Sequence, residues 1–391
     1  MEALLALRDL AHDRVELALV SADPEFRYRP MAVDEPFSLT PYERKELEPA
    51  VTELGARFIG DAVRALRPDD HVAELANGEP VSYDVALVCI GATARPAFMH
   101  GFSFLVPGPP LDVTELIERA RQSEPRRIAF VVPSGVTWAL PIYELALLTA
   151  KRLGESREAV ELVLVTPEAS PLAIFGTRPS EAVGELLRTR GIEFRGGVQA
   201  REMEEGTLVL TPGDEELRAA AVVALPLLEG PGIEGLPTDQ NGFIPIDEHA
   251  RVYDADDLYA AGDGTNFPIK QGGLATQQAD AAAEHIAARL GADLEPEPFH
   301  PILRGKLITG EETMSMTANV ASRDREGFAS PDYLWWPPFK VSGRYLTPWL
   351  ASGEPQAESV PPLRSMEVEV ALPRQWHRDP MALDPYTPID R

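Results

Sequence analysis

Apolar side chains change spacing repeatedly along this chain. Residues 112–122 repeat at helical spacing, 127–132 form an apolar run of strand length, 142–152 return to helical spacing, and 161–166 are again a short apolar run. The predicted order, a leading helix and then strand, helix, strand, is that of a parallel crossover unit in an α/β protein. A related pattern opens the chain, where Leu4, Leu7 and Leu10 share one face of a helix beginning at the first residues, ahead of a strand at 15–20. Residues 54–83 read as short alternating strands broken by Asn77-Gly78, a hairpin signal. The run 83–96 (YDVALVCIGATARP) contains a continuous apolar strand that ends at Gly91. Residues 191–226 add strands, 207–211 the clearest, and 239–247, with GFIPID, predicts one more. The stretch 258–283 carries a buried-strand run at 258–261, a sharp turn at Gly262-Asp263-Gly264, and an Ala-rich helix opened by Gly272-Gly273. Pro107 to Pro110 mark a boundary.

Composition narrows the class. With 391 residues and 44% hydrophobic content the chain predicts two or three domains with substantial cores. Its 36 basic and 62 acidic residues give a net charge of -26, which argues against nucleic acid and anionic lipid as general partners. The longest apolar run, 219–228, is too short to span a bilayer, and the N-terminus lacks the regions of a signal peptide, so a cytoplasmic chain is expected. The single cysteine, Cys89, excludes an internal disulfide, a Cys-x-x-Cys pair and a cysteine-rich zinc site, and no metal centre is expected. Cys89 lies inside the apolar strand and reads as a buried small hydrophobe.

The candidate chemistry sits in 258–283. A carboxylate on a strand-to-helix turn, before a helix whose first amides carry no bulky side chains, suits a polyol near Asp263 and partial negative charge near Gly273. A flavin offers both; the same residues also read as an efficient turn followed by a packing helix. AAGD at 260–263 and KQGGLATQQAD at 270–280 resemble the second flavin-binding motif of the FAD-dependent pyridine nucleotide-disulfide oxidoreductases, in the branch of sulfide:quinone oxidoreductases and type II NADH dehydrogenases. The resemblance covers most of residues 1–300 and implies two nested Rossmann-like dinucleotide-binding domains in three layers (ββα) with a C-terminal extension. Their expected bounds are 1–111 with 239–298 for FAD, 112–238 for an NAD(P)-binding-like unit, and 299–391 for the extension. It further implies Asp263 and Gly262 at the ribityl chain, the amides of Gly272 and Gly273 at the pyrimidine end, Lys270 beside that end, and Gly91 as the second strand-and-glycine landmark. The acid that takes the ribose hydroxyls is replaced by Ser21, with Asp23 or Glu25 as substitutes, and the turn with Arg27 and Arg29 is expected over the adenine side, unless those arginines are solvated or paired locally.

Three stretches depart from the family pattern. The first helix starts at residue 1 with no strand and glycine loop before it, so about 15 residues of the expected unit either lie upstream or have been lost. In the second unit the turn 133–141 has one glycine where three are expected, and it holds Trp138 and two prolines, which makes NAD(P) binding doubtful. Glu168, after the second strand of that unit, reads as a ribose ligand or as a solvent-facing loop acid. Residues 333–350 hold three of the five tryptophans with Lys340 and Arg344, and read as a peripheral membrane contact, a quinone path, or a core or dimer contact. The last forty residues carry seven prolines and one expected strand at 366–372. The expectation is a homodimeric flavin oxidoreductase that moves two electrons from a small-molecule donor to a quinone or other small acceptor, without cysteine chemistry and with no base that can be named. The alternatives are an NAD(P)H-linked flavin reductase and a non-catalytic binding module.

Overall fold

A computed structural model of the chain describes residues 1–37, 44–106, 111–154, 160–310, 314–318, 328–330, 339–352 and 365–371. The first part runs through α1 (Glu2–Ala11), β1 (Ala18–Val20), β2 (Glu25–Arg27), β3 (Arg44–Glu46), α2 (Leu47–Glu53), β4 (Arg57–Ile59), β5 (Val63–Arg67), β6 (Val72–Leu75), β7 (Val81–Ser82), β8 (Ala86–Val88), β9 (Thr93–Arg95) and β10 (Phe102–Ser103). The middle comprises α3 (Val113–Arg121), β11 (Arg127–Val131), α4 (Leu140–Leu153), β12 (Glu161–Val165), α5 (Thr177–Thr189), β13 (Ile192–Arg195), β14 (Gln199–Glu204), β15 (Thr207–Thr211), β16 (Glu215–Arg218) and β17 (Ala221–Ala224). After β18 (Leu227–Glu229) come β19 (Leu258–Ala260), α6 (Gly272–Arg289), β20 (Ile302–Ile308), β21 (Met314–Ala318), β22 (Phe328–Ser330), α7 (Leu346–Ala351) and β23 (Ser365–Ala371).

The middle part shows why continuous apolar strands imply burial on both faces. Its five strands, ordered β10-β17-β11-β12-β13, are all parallel. Ala129, Val131, Val163 and Val165 face the meander β14-β15-β16 through Leu208, Leu210 and Leu217. Ile128, Phe130, Leu162 and Leu164 point the other way, into a core with Leu116 of α3 and Leu145 and Leu148 of α4. Meander, parallel sheet and helices make three layers. The expected helix 112–122 is α3, and Asp112 caps it by accepting the amides of Thr114 and Glu115 at 2.7 and 3.2 Å.

The flanking part is built from parallel pairs, β1 with β4 and β8 with β19, beside the antiparallel sheet β5-β6-β7. The hairpin expected at Asn77-Gly78 joins β6 to β7, and Asp61 anchors it by accepting the Asn77 amide at 3.1 Å. The strand expected at 15–20 is reduced to Ala18–Val20. GFIPID is not a ladder strand. Only Ile244 and Ile246 form bridges, to Thr265 and Val252, because the Asp239 carboxylate folds the preceding turn by accepting the amides of Asn241 and Phe243, and Pro245 has no amide to donate. Beyond α6 a mixed sheet, β20-β23-β21-β22, contains the strand expected near 366–372.

Helix α1 packs on α6, the small side chains of Ala3 and Ala279 sharing a cluster with Ala261. At this interface Glu2 is buried and accepts the amides of Tyr345 and Leu346 at 2.8 and 2.6 Å, so the first helix caps α7 from the far end of the sequence. Asp280 of α6 lies beside Glu2, and burial, followed by the charge and hydrogen bond of Glu2, pushes its carboxyl up to about 9. Above pH 3.8, its ordinary value, the unfolded chain ionises at this position while the fold keeps the proton. Stability from the pair is therefore largest below that pH and declines as pH rises toward 9. Asp280→Asn is expected to raise stability at pH 8 by on the order of 2 kcal/mol and to flatten the decline above pH 4. Urea midpoints measured from pH 4 to 9 check both effects.

Candidate functional site at the ends of β8 and β19

Strands β8 and β19 run parallel with Leu258 opposite Ala86 and Ala260 opposite Val88, so their carboxyl ends lie side by side. In open α/β sheets that edge is where ligands bind. Each strand ends in a glycine turn, Gly91 at φ 75° and Gly262 at φ 89°, conformations that disfavour a side chain. A Cβ on Gly264 would stand 2.7 Å from the Gly91 carbonyl oxygen, so the two turns meet backbone to backbone. The Gly262 amide donates to Gln278 Oε1 of α6 at 2.7 Å, and its carbonyl accepts the Thr265 amide and hydroxyl at 3.0 and 2.9 Å. Gly262 thus shapes the turn and has no amide left for a ligand.

The electrostatics mark a cleft. Asp263 and Lys270 are partly open to solvent and Cys89 is exposed, yet all three are strongly desolvated. Burial pushes the Asp263 carboxyl up against the opposing charges of Lys270 and Arg29, and it lowers Lys270 to about 8 despite Asp263 and Asp239. Burial also raises the Cys89 thiol, opposed by the charge of the chain's amino terminus and the Ala261 amide. Groups that touch water while protein surrounds them line the wall of a concave site. The expectation that Cys89 is a buried hydrophobe is corrected on this point, since it follows β8 just where the strand opens into the cleft. Lys270 also donates to the Thr265 carbonyl, and its Nζ lies 3.7 Å over the Phe243 ring.

Helix α6 begins as its sequence predicts. Gln271 caps it by accepting the Leu274 amide at 2.8 Å; Gly273 is buried against the Gln271 amide group and Gly272 is exposed. Arg29 is exposed and its charge reaches Asp263. Gly91, Gly262, Asp263, Lys270 and Arg29 are thus brought together, with Gly272 and Gly273 at the head of the adjoining helix. Asp23 is engaged locally, its carboxylate accepting the Glu25 amide at 3.1 Å and pairing with Arg27 at 3.3 Å. Sequence reasoning missed Gln278, whose position in a Gln-Gln pair on the packing face was the available signal. It also missed the pairing of Lys340 with Glu144, for which no local signal exists.

The corresponding turn of the five-stranded sheet is filled from within. Trp138 packs edge-on against Phe175, with ring centroids 5.9 Å apart. Glu168 is buried, not solvent-facing; its carboxylate accepts the Tyr143 hydroxyl at 2.7 Å and the Thr166 hydroxyl at 3.1 Å, and burial raises it to about 7. The turn and the acid thus make contacts within the protein, Trp138 with Phe175 and Glu168 with Tyr143 and Thr166. A cavity of about 190 Å³ remains farther along the same edge, lined by Ser134, Gly135, Pro167, Gly197 and Gln199. In the aromatic stretch 333–350, Phe339 packs on Tyr28 at 6.0 Å and Trp349 on Phe26 at 5.5 Å, with Lys45 over the Trp349 ring at 4.8 Å. That half of the stretch is internal packing, whereas Trp335 and Trp336 lie outside the described residues. Among the described residues no helix is long and apolar enough to cross a membrane.

Parallel strand units with turns at their carboxyl ends, one turn presenting a carboxylate and a lysine to a cleft, define an α/β protein of the Rossmann-like, dinucleotide-binding kind. The chain belongs to the pyridine nucleotide-disulphide oxidoreductase family, whose profile matches residues 3–285. It is 30% identical to a dihydrolipoyl dehydrogenase of Haloferax volcanii over 44% of this chain and 38% of that protein, so the match spans well under half of that relative's length. It is 26% identical to dihydrolipoyl dehydrogenase 2 of Haloarcula marismortui over 88% of this chain and 72% of that protein. In fold it is similar to the sulfide:quinone oxidoreductase of Aquifex aeolicus, with a TM-score of 0.66 at 17% identity over 78% of this chain and 76% of that one.

An exposed thiol with a raised pKa predicts a definite reactivity. One thiol per folded chain should react with a small aromatic disulfide, more slowly than free cysteine at pH 8, with the rate still climbing above pH 9. Absence of reaction until denaturant is added would place Cys89 back in the core.

Proposed function

We propose that this chain is an FAD-dependent oxidoreductase that accepts two electrons from a small donor and passes them to a quinone or another small acceptor. The observation that carries the reading is the cleft at the ends of β8 and β19, where Asp263 and Lys270 are wetted yet desolvated beside turns kept free of side chains. These residues fit a flavin. Asp263 supplies acceptor oxygens for a polyol, and Gly91 and Gly264 bring the two turns together through their backbones. Lys270 titrates near 8 and so is mostly protonated at neutral pH, and with the first amides of α6 it favours negative charge on whatever the cleft holds. A bound flavin would supply reversible two-electron chemistry, while the protein tunes it. Arg29 and Asp23 are assigned to the adenine side, and residues 112–238 to an inserted unit that keeps the fold of a nucleotide domain.

A second reading, an NAD(P)H-linked flavin reductase, rests on the cavity lined by Ser134, Gly135 and Gly197, which leaves room at one end of a nucleotide site whose turn is blocked by Trp138. Visible spectra separate these readings. Purified chain should show flavin absorption near stoichiometry after FAD is added, and Asp263→Ala should abolish it. Lys270→Met should retain flavin with a midpoint potential lower by about 30 mV, equivalent to about 1.4 kcal/mol for a two-electron couple. Bleaching by NADH or NADPH under anaerobic conditions would favour the second reading. Failure to bind FAD would leave a non-catalytic binding module.

A further inference from the structure

Near the far end of α6, away from the cleft, three elements are joined through ring nitrogens and a hydroxyl. Tyr259 of β19, 1% exposed, hydrogen-bonds through its hydroxyl to His285 Nδ1 of α6 at 2.7 Å, and Arg289 donates to the same oxygen at 3.2 Å. Arg289 also pairs with Asp257, which lies 3.8 Å from His71 Nε2. The His285 ring stands 5.0 Å from that of His249, tilted 35° to it. His249 belongs to the turn 247–252, which Asp247 closes by accepting the amides of His249 and Arg251, both at 2.9 Å. This turn lies along β19: the Val252 amide donates to the Leu258 carbonyl and the Ala260 amide to the Ala250 carbonyl, each at 2.9 Å. Strand β19 and helix α6 flank the turn that carries Asp263 and Lys270, so whatever holds the two together also holds the cleft.

These hydrogen bonds fix a charge state. An arginine only donates, so the Tyr259 oxygen accepts from Arg289 while its hydroxyl proton goes to His285 Nδ1, which is therefore unprotonated. A proton on that nitrogen would set two N–H groups against one oxygen and leave the buried hydroxyl without an acceptor. Burial holds the His285 imidazole below its ordinary 6.5, helped by the charges of His249, Arg251 and Arg289 and opposed by Asp247. His249 offers no relief, since its Nδ1 is buried without a hydrogen-bond partner among the described residues. Other charged or titratable groups on the packed elements are Glu248 and Tyr253 beside the turn, Glu284 on α6, and Glu297 and His300 in the segment whose Phe299 amide donates to the Glu248 carbonyl. Glu284 is committed to Arg344 and to the Glu297 amide. We propose that His285, with His249 and Tyr259, is an acid-released latch: neutral, it holds α6 against β19; charged, it lets the helix end part from the strand and weakens flavin binding in the cleft. The last step rests on the flavin reading above. On charging, Nδ1 takes a proton from a solvent or buffer acid and the Tyr259 hydroxyl loses its acceptor; raising the pH reverses both. Because the fold favours the neutral ring, the stability that the latch contributes is complete above pH 6.5 and is lost as pH falls below it toward the folded value. The three residues reach the cleft only through β19 and α6 and are positioning residues.

Histidine-selective nitrogen-15 NMR of wild type, Tyr259→Phe and His285→Asn from pH 8 to 5 tests the latch, His285 being the signal that the last variant lacks and that Tyr259→Phe moves. Wild type is expected to show an unprotonated Nδ1 at pH 8 and a titration midpoint below 6.5. Tyr259→Phe removes the donor to the neutral ring and should move that midpoint up. Hydrogen exchange of residues 284–290, corrected for the intrinsic effect of pH, should quicken in wild type as pH falls through the midpoint. It should stay flat in His285→Asn, whose side-chain oxygen still accepts from Tyr259. One proton linked to release weakens FAD binding by at most about tenfold per pH unit, and wild type is expected to lose affinity more steeply than His285→Asn between pH 6.5 and 5, by up to that factor. A protonated Nδ1 at pH 8, a midpoint at or above 6.5, or the same exchange profile in wild type and His285→Asn overturns the latch. Should His285→Asn not fold, the wild-type tautomer and the Tyr259→Phe shift still decide it. Equal loss of FAD affinity in the two proteins overturns the effect on the cleft. A wild type that binds no FAD overturns the flavin reading, while NMR and hydrogen exchange still judge the latch.

Discussion

Two backbones touch where no side chain intervenes, and much of this structure depends on it. Gly264 lies against the Gly91 carbonyl so closely that a methyl group would stand 2.7 Å from the oxygen. This contact lets the turns after β8 and β19 close over one another at the sheet's carboxyl edge. Gln278 then ties the Gly262 amide to α6, and Gln271 caps that helix. The position of α6 in turn determines where α1 packs, and through Glu2 where α7 begins. A tight turn thereby transmits order from the sheet to the first helix and to α7.

The acidic excess is not all on the surface. Five carboxyl groups lie buried or nearly so around the cleft and its supports, and the fold accommodates each differently. Glu2 accepts two helix-end amides, Glu168 two hydroxyls, and Glu144 an ammonium and an amide. Burial, and after it the charge and hydrogen bond of Glu2, hold the Asp280 carboxyl well above the usual carboxylate range. Asp34 has no hydrogen-bond partner among the described residues. Buried acids without full compensation concentrate where a protein's charge state has consequences, because low dielectric amplifies each ionisation.

The five-stranded unit illustrates how a turn can be packed independently of its sheet. The turn after β11 carries a tryptophan packed against Phe175 and prolines that offer no amide, beside a parallel sheet of five strands. Nothing in the packing of the sheet requires that turn to be open, since the apolar strands are satisfied by layers on both faces.

What the sequence determined by itself was local and periodic. Apolar runs of strand length gave β11, β12, β15 and β19 within a residue or two; Asp112 and Gly272-Gly273 located two helix starts; Asn77-Gly78 located a hairpin. These follow from backbone propensity and from burial along one strand or face. GFIPID was misread because apolar content alone does not reveal that Asp239 folds the turn and Pro245 leaves a gap in the ladder. Only the tertiary structure decided that Cys89 is exposed, that Glu168 is sequestered by Tyr143, and that Lys340 pairs with Glu144. Those residues are far apart in the chain, and desolvation and hydrogen-bond partners arise only when distant segments pack together, which no local pattern encodes.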